Sequence, residues 1–269
     1  MKRAALLVGV SFACTACGAC KDKQAPAKQQ EPTVQHEERP RPPDRPSLEL
    51  TDVTGPGLVP AVGLGPKVTF SKTEIKVDDQ TIANVGPDGW IDASRAQALT
   101  RVLEGKANSD APVAIVLDAT IPYHRVGQLL DTLKRAGFRN LGLLTGGGSQ
   151  MIPIELPDSQ EIQGAGLRPV VSLERTQVSL WSASGQEGTK ARPKLTFALA
   201  QGNFAPLTRA LAEIVQRRWP DGKRSDADKT IIIQAEGSQP AQKLMQLLAA
   251  VRADGGLELF PNIFLAGGV

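Results

Sequence analysis

Between Ala114 and Thr145 the hydrophobic pattern changes period twice. Ala114, Ile115, Val116 and Leu117 form a continuous apolar run too short for a helix, which predicts a strand covered on both faces. Asp118 ends it. Residues 118 to 123, DATIPY, carry a carboxylate and Pro122, whose fixed φ suits the entry to a helix. Val126, Leu129, Leu130 and Leu133 then fall at i, i+3, i+4 and i+7, while Arg125, Gln128, Asp131, Lys134 and Arg135 take the opposite face. This predicts an amphipathic helix with Lys134 and Arg135 at the negative end of its dipole and Gly137 as its stop. A second strand, Leu141 to Thr145, runs into Gly146, Gly147 and Gly148, expected to be a flexible exit into a linker.

The same pattern recurs. Leu244, Leu247, Leu248 and Val251 repeat the helix face of Val126, Leu129, Leu130 and Leu133 at an offset of 118, which also sets Glu236 on Asp118 and Pro240 on Pro122. Leu99-Thr100-Arg101-Val102-Leu103 returns as Leu207-Thr208-Arg209-Ala210-Leu211 at an offset of 108, and Val68 to Val77 matches Val171 to Leu180 at 103. A period near 110 residues implies a duplicated domain rather than a solenoid, with offsets that grow along the chain absorbed by loop insertions in the second copy. That copy is expected to contain strands in VVSLERTQVSL and LTFALAQ, a helix from Pro206 to Arg218, a strand at Ile231 to Ile233 and a last strand in IFLAGGV.

The succession of strand, Asp, x-x-x-Pro-Tyr, helix and A-G-F-x-x-strand resembles the periplasmic domain of the ExbD/TolR family of biopolymer transport proteins. Val68 to Asn84, VTFSKTEIKVDDQTIAN, is similar to that family's opening hairpin and Asp92 to Glu104 to its first helix, so the resemblance covers residues 66 to 147. It implies an α/β (α+β) fold: two small two-layer domains, each a mixed sheet with two helices on one face, docked as an intramolecular pseudo-dimer. It also implies partners of ExbB/TolQ or TonB-like type, or peptidoglycan. Family members carry an N-terminal transmembrane helix whose aspartate takes part in proton-driven work. Here an apolar segment and a proline-rich stretch stand in its place, so only the envelope-facing half of the family's role carries over.

Residues 1 to 16 join a basic pair to an apolar stretch too short to span a bilayer, the pattern of a lipoprotein-type signal. All three cysteines, Cys14, Cys17 and Cys20, follow an alanine at its end, which makes Cys17 the expected lipidation site and Cys20 the runner-up. An iron–sulfur or zinc site would need a fourth ligand that the motif lacks. Neither cysteine is followed by an acidic pair, which favours the outer membrane, on the periplasmic side, over the inner one. Residues 17 to 65, rich in Pro, Gln and charges of both signs, are expected to be a disordered tether. The remaining expected boundaries are 66 to 148 for the first domain, 149 to 167 for a linker and 168 to 269 for the second domain. A net charge of +3, with cations interleaved among acids, argues against nucleic-acid binding.

Asp118, Pro122, Tyr123, His124 and Arg125 form the best polar cluster and are the candidate partner-binding residues. Asp118 could meet a ligand or partner, or cap its own turn, and capping is the favoured role. His124 has no second histidine or cysteine near it in sequence, so no metal is expected, and the glycines at 146 to 148 lack the helix and Lys of a phosphate loop. No G-x-S-x-G, H-E-x-x-H or Cys/His pairing follows residue 20, so neither an enzyme nor a cofactor is expected. Two readings remain: a lipid-anchored, non-catalytic interaction or scaffold module of the envelope, and a solute-binding lipoprotein with a ligand cleft between its domains.

Overall fold

A computed structural model of the chain describes residues 48–86, 91–106, 111–156, 166–199 and 202–266. The signal-like segment, Cys17, Cys20, the tether as far as residue 47 and positions 157–165 of the expected linker lie outside the described residues. In chain order the elements are β1 (Val59–Pro60), β2 (Lys67–Phe70), β3 (Glu74–Val77), β4 (Gln80–Asn84), α1 (Ala93–Glu104), β5 (Val113–Leu117), α2 (Tyr123–Arg135), β6 (Asn140–Thr145) and β7 (Gln150–Glu155). The second half follows with β8 (Pro169–Leu173), β9 (Gln177–Ser182), β10 (Gly188–Thr189), β11 (Arg192–Pro193), β12 (Leu195–Ala198), α3 (Ala205–Arg218), β13 (Thr230–Ala235), α4 (Ala241–Arg252), β14 (Ala253–Asp254), β15 (Leu257–Glu258) and β16 (Asn262–Leu265). Among the described residues the protein is a mixed α/β structure with two large mixed sheets and four α-helices.

The sheets share one plan. The first runs β1-β7-β6-β5-β2-β3-β4 and the second β12-β9-β8-β13-β16. In each, an antiparallel meander (β2, β3, β4; β8, β9, β12) lies beside two further strands parallel to its first member (β5, β6; β13, β16). The registers agree as well: Val68 faces Val77 and Ile115, and Val171 faces Leu180 and Ile233. The same offsets therefore hold in the hydrogen-bonded ladders. They do not simply grow, because Ala83 of β4 corresponds to Phe197 of β12, 114 residues on, before the helices return to 108. The extra residues form the β10–β11 hairpin.

Local chemistry explains each element. The Asp92 side chain caps α1 by accepting from the Arg95 N–H at 2.9 Å. Both α2 and α4 start after a proline in extended conformation, Pro122 and Pro240. The helix faces read from the sequence are all buried: Val126, Leu129, Leu130 and Leu133 on α2, Leu244, Leu247, Leu248 and Val251 on α4, and the pairs Leu99/Leu103 and Leu207/Leu211 on α1 and α3. They join the inward residues of both sheets in one continuous core. Asp78 and Asp79 take positive φ at the β3–β4 turn, which short polar side chains tolerate.

Three expectations are corrected. The tether does not extend to residue 65: Thr51 and Val53 are buried, β1 pairs with β7, and one folded unit spans Pro46–Val269. The glycines at 146–148 are a tight hairpin turn rather than a loose exit, with Gly147 at φ 66°, and Gln150–Glu155 is not linker but a strand antiparallel to β6. Pro153 is tolerated there because β1 reaches only Gln150 and Met151, leaving the rest of that edge without a partner strand among the described residues. The two halves share one core and lie in one unit.

Candidate functional site

The two halves meet through the loops that enter α2 and α4. The Tyr123 N–H donates to Gln239 O at 2.7 Å and the His124 N–H to Gly237 O at 3.0 Å. Reciprocally, the Ala241 N–H donates to Ile121 O at 2.7 Å and the Gln242 N–H to Ala119 O at 2.9 Å. Each donor and acceptor maps onto its counterpart at the offset of 118 that relates Pro122 to Pro240, and those two prolines form an antiparallel bridge. This is the self-complementary contact of a two-fold dimer, made within one chain.

That junction absorbs the candidate partner-binding cluster. Asp118 is 2% exposed, and its Oδ1 accepts from the Thr120 N–H at 3.0 Å and the Thr120 hydroxyl at 2.6 Å, the turn-capping role. Tyr123 is equally buried; its hydroxyl donates to Ala266 O beyond β16, and burial pushes its pKa up to about 12. His124 Nδ1 lies 2.9 Å from Gly237 O, and since a carbonyl only accepts, this nitrogen carries the proton. Pro122 and Arg125 are half-buried. The expectation that these residues face a partner therefore gives way for four of the five: Asp118 caps its own turn, and Pro122, Tyr123 and His124 serve the contact between the halves, because the duplicated loop supplies its own mate.

The sequence reading missed what lies across the junction. Residues 49 to 53 form a strap over the C-terminal ends of β5 and β6. The Ala119 N–H donates to Glu49 O at 2.7 Å, Leu50 bridges Asp118, and the Val53 N–H donates to Thr145 Oγ1 at 2.8 Å. Gln242 of α4 holds Asp52 at both backbone groups, accepting from its N–H at 3.1 Å and donating to its carbonyl at 2.6 Å. Arg252 closes the far end, with Nε to Gly57 O at 3.0 Å and Nη1 to Pro153 O at 3.1 Å and Pro261 O at 2.5 Å. No local sequence signal marks Gln242 or Arg252 for these roles.

A second polar centre lies where the β10–β11 insertion meets α3. Glu187 is 4% exposed and accepts from Lys194 Nζ at 2.7 Å, Arg217 Nη2 at 2.5 Å and Arg218 Nε at 2.7 Å. Burial pushes this carboxyl up, but the three cationic hydrogen bonds outweigh it and hold the pKa at about 2. Arg217 and Arg218 also sit in the last turn of α3, where cations suit the dipole. The arrangement docks a hairpin onto a helix. Among the described residues, no group of three or more His, Cys, Asp or Glu could hold a metal ion.

Concave surface among the described residues includes three sites. A cavity of about 440 Å³ lies between the strap at Val53–Pro56 and helices α3 and α4, lined by Phe204, Thr208, Arg209 and Gln246 among others. A groove of about 320 Å³ is lined by the strap and by residues of β2, β3, β5 and β6, and one of about 340 Å³ lies at the C-terminal ends of β8 and β13.

Comparison with known proteins gives little beyond this geometry. No family model and no curated protein matches the chain. Among solved structures, a Bacteroides thetaiotaomicron protein with an actin-like ATPase fold and unknown function is similar over 77% of this chain and 91% of that chain, at 10% identity and a TM-score of 0.23. A likeness that weak carries no argument about this chain.

Proposed function

We propose that the protein is a lipid-anchored component of the bacterial envelope whose folded unit is a fused pair of ExbD/TolR-like domains acting as a non-catalytic interaction module for envelope proteins or peptidoglycan. The observation that supports this most is the repeated register, Val68 with Val77 and Ile115 against Val171 with Leu180 and Ile233, joined by the two-fold contact at Pro122 and Pro240. Such a pair meets its own need for a second copy. Its remaining sheet edges and grooves are then left for other molecules. No helix among the described residues is long and apolar enough to cross a membrane, and attachment is assigned to a lipid on Cys17 or Cys20.

Two experiments test this reading. Labelling cells with a fatty-acid probe should mark the parent and not Cys17→Ala; loss in Cys20→Ala instead moves the site, and an unlabelled parent removes the anchor. A crosslinking pulldown of the full chain from the envelope should recover peptidoglycan or proteins of ExbB/TolQ or TonB-like type.

The cavity of about 440 Å³ beside the strap falls in the size range of small-molecule sites and favours a second reading, a solute-binding lipoprotein. A defined small molecule retained by the purified protein, with no macromolecule recovered in the pulldown, would establish it in place of the first.

A further inference from the structure

The cavity of about 440 Å³ lies where the start of α3 meets the end of α4, beside the strap at Val53–Pro56. The repeat shows why there is room. At the offset of 108 the first residue of α3, Ala205, corresponds to Gln97, so the opening turn of α1, Ala93–Ala96, has no helical counterpart in the second half among the described residues. In the first half Gln128 of α2 accepts from the Ile91 N–H, just ahead of that turn, at 3.2 Å. Its counterpart Gln246 lines the cavity and has no hydrogen-bond partner among the described residues. At the same offset of 118, Asp254 stands where the first half has Ala136, and it lines the cavity too.

The lining carries one cation and one carboxylate, Arg209 of α3 and Asp254 just beyond α4. Neither side chain makes an ion pair or a hydrogen bond, with the other or with any other described residue. Their signs follow the helix ends at which they stand. Arg209 adds to the positive N-terminal end of α3 and Asp254 to the negative C-terminal end of α4, so the cavity has a positive and a negative side. Phe204, Ala249, Ala250 and Ala253 form an apolar wall whose alanines leave space for a further side chain. The Thr208 hydroxyl is already engaged, lying 3.3 Å from Phe204 O and 3.2 Å from Ala250 O.

We propose that this cavity binds a zwitterionic ligand of the amino-acid class, either a free apolar amino acid or a short peptide. Its carboxylate meets Arg209, its ammonium meets Asp254, and its side chain lies on the alanine wall with Gln246 beside the polar groups. A ligand of one charge only would set that charge against its like at one side and leave the other side unmatched, which is the basis of selection. This deepens the solute-binding reading and rests on it for a ligand taken from solution.

Isothermal titration calorimetry of the full chain in detergent, with leucine and with leucyl-alanine, tests the proposal and separates its two sources. At least one of them should bind saturably, and its N-acetylated and amidated forms, which each keep a single charge, should bind about tenfold more weakly. Arg209→Gln should no longer distinguish the zwitterion from its amide, and Asp254→Asn should no longer distinguish it from its N-acetyl form. Both substituted side chains are exposed, so thermal melts equal to the parent's are expected and exclude misfolding. Absence of saturable binding by both zwitterions overturns the proposal, as does a preference for the zwitterion that both variants retain. A different small molecule retained by the purified protein would then keep the solute-binding reading without this ligand class, so the two failures are distinct.

Discussion

Replacing Glu187 by Gln removes the carboxylate that three cations share while keeping the side chain's size. The folded carboxyl titrates near 2 against an ordinary 4.5, a difference worth about 3 kcal/mol at roughly 1.36 kcal/mol per unit. Arg217, one of the three donors, is more than half exposed, so solvent screens its share and about 2 kcal/mol is the expected loss at pH 7. Because the folded pKa is depressed, this stability is fully present above about pH 4.5 and is lost as pH falls towards 2. The parent and Glu187→Gln should therefore differ by about 2 kcal/mol in urea unfolding followed by circular dichroism at pH 7 and 5, and converge between pH 4 and 2.5. Curves that stay parallel through that window, or that coincide at pH 7, would refute the reasoning.

Gln239→Leu should stabilise the protein by about 1 kcal/mol in the same urea assay, because the buried Gln239 Oε1 has no hydrogen-bond partner and the equivalent position in the first half is the buried Ile121; a loss of stability would show that the amide is satisfied. Gly57→Ala should cost about 1–3 kcal/mol and admit protease to the strap, since its Cβ would stand 2.3 Å from Ala249 O and 2.8 Å from Arg252 Cβ; unchanged cleavage between residues 48 and 60 would contradict the packing.

What could be read in the sequence was whatever repeats locally. The α2 and α4 faces were legible because a helix buries every third or fourth residue whatever it packs against, and the offset of 118 carried Pro122 to Pro240 without reference to structure. The strap was not legible, because Thr51 and Val53 are buried by Leu144 and Thr145, more than 90 residues away, while the leucines that suggest a hydrophobic face, Leu48 and Leu50, are the exposed ones. Strand β7 was hidden by Pro153, which reads as punctuation until the partial edge beside it is known. Asp118 caps its own turn, the role favoured from the sequence, whereas the use of Tyr123 depends on the second copy. The Tyr123 hydroxyl finds its acceptor at Ala266, 143 residues along the chain.

The central claim, that the two halves are clasped through equivalent loops into one cooperative unit, is tested most directly by native-state hydrogen exchange at four amides. Tyr123, His124, Ala241 and Gln242 should exchange together, as slowly as the core amides of β5 and β13, and should lose protection in step with them as urea is added. Exchange of Tyr123 and His124 at a rate unrelated to that of Ala241 and Gln242, or fast exchange of all four while the β5 and β13 amides remain protected, would contradict it.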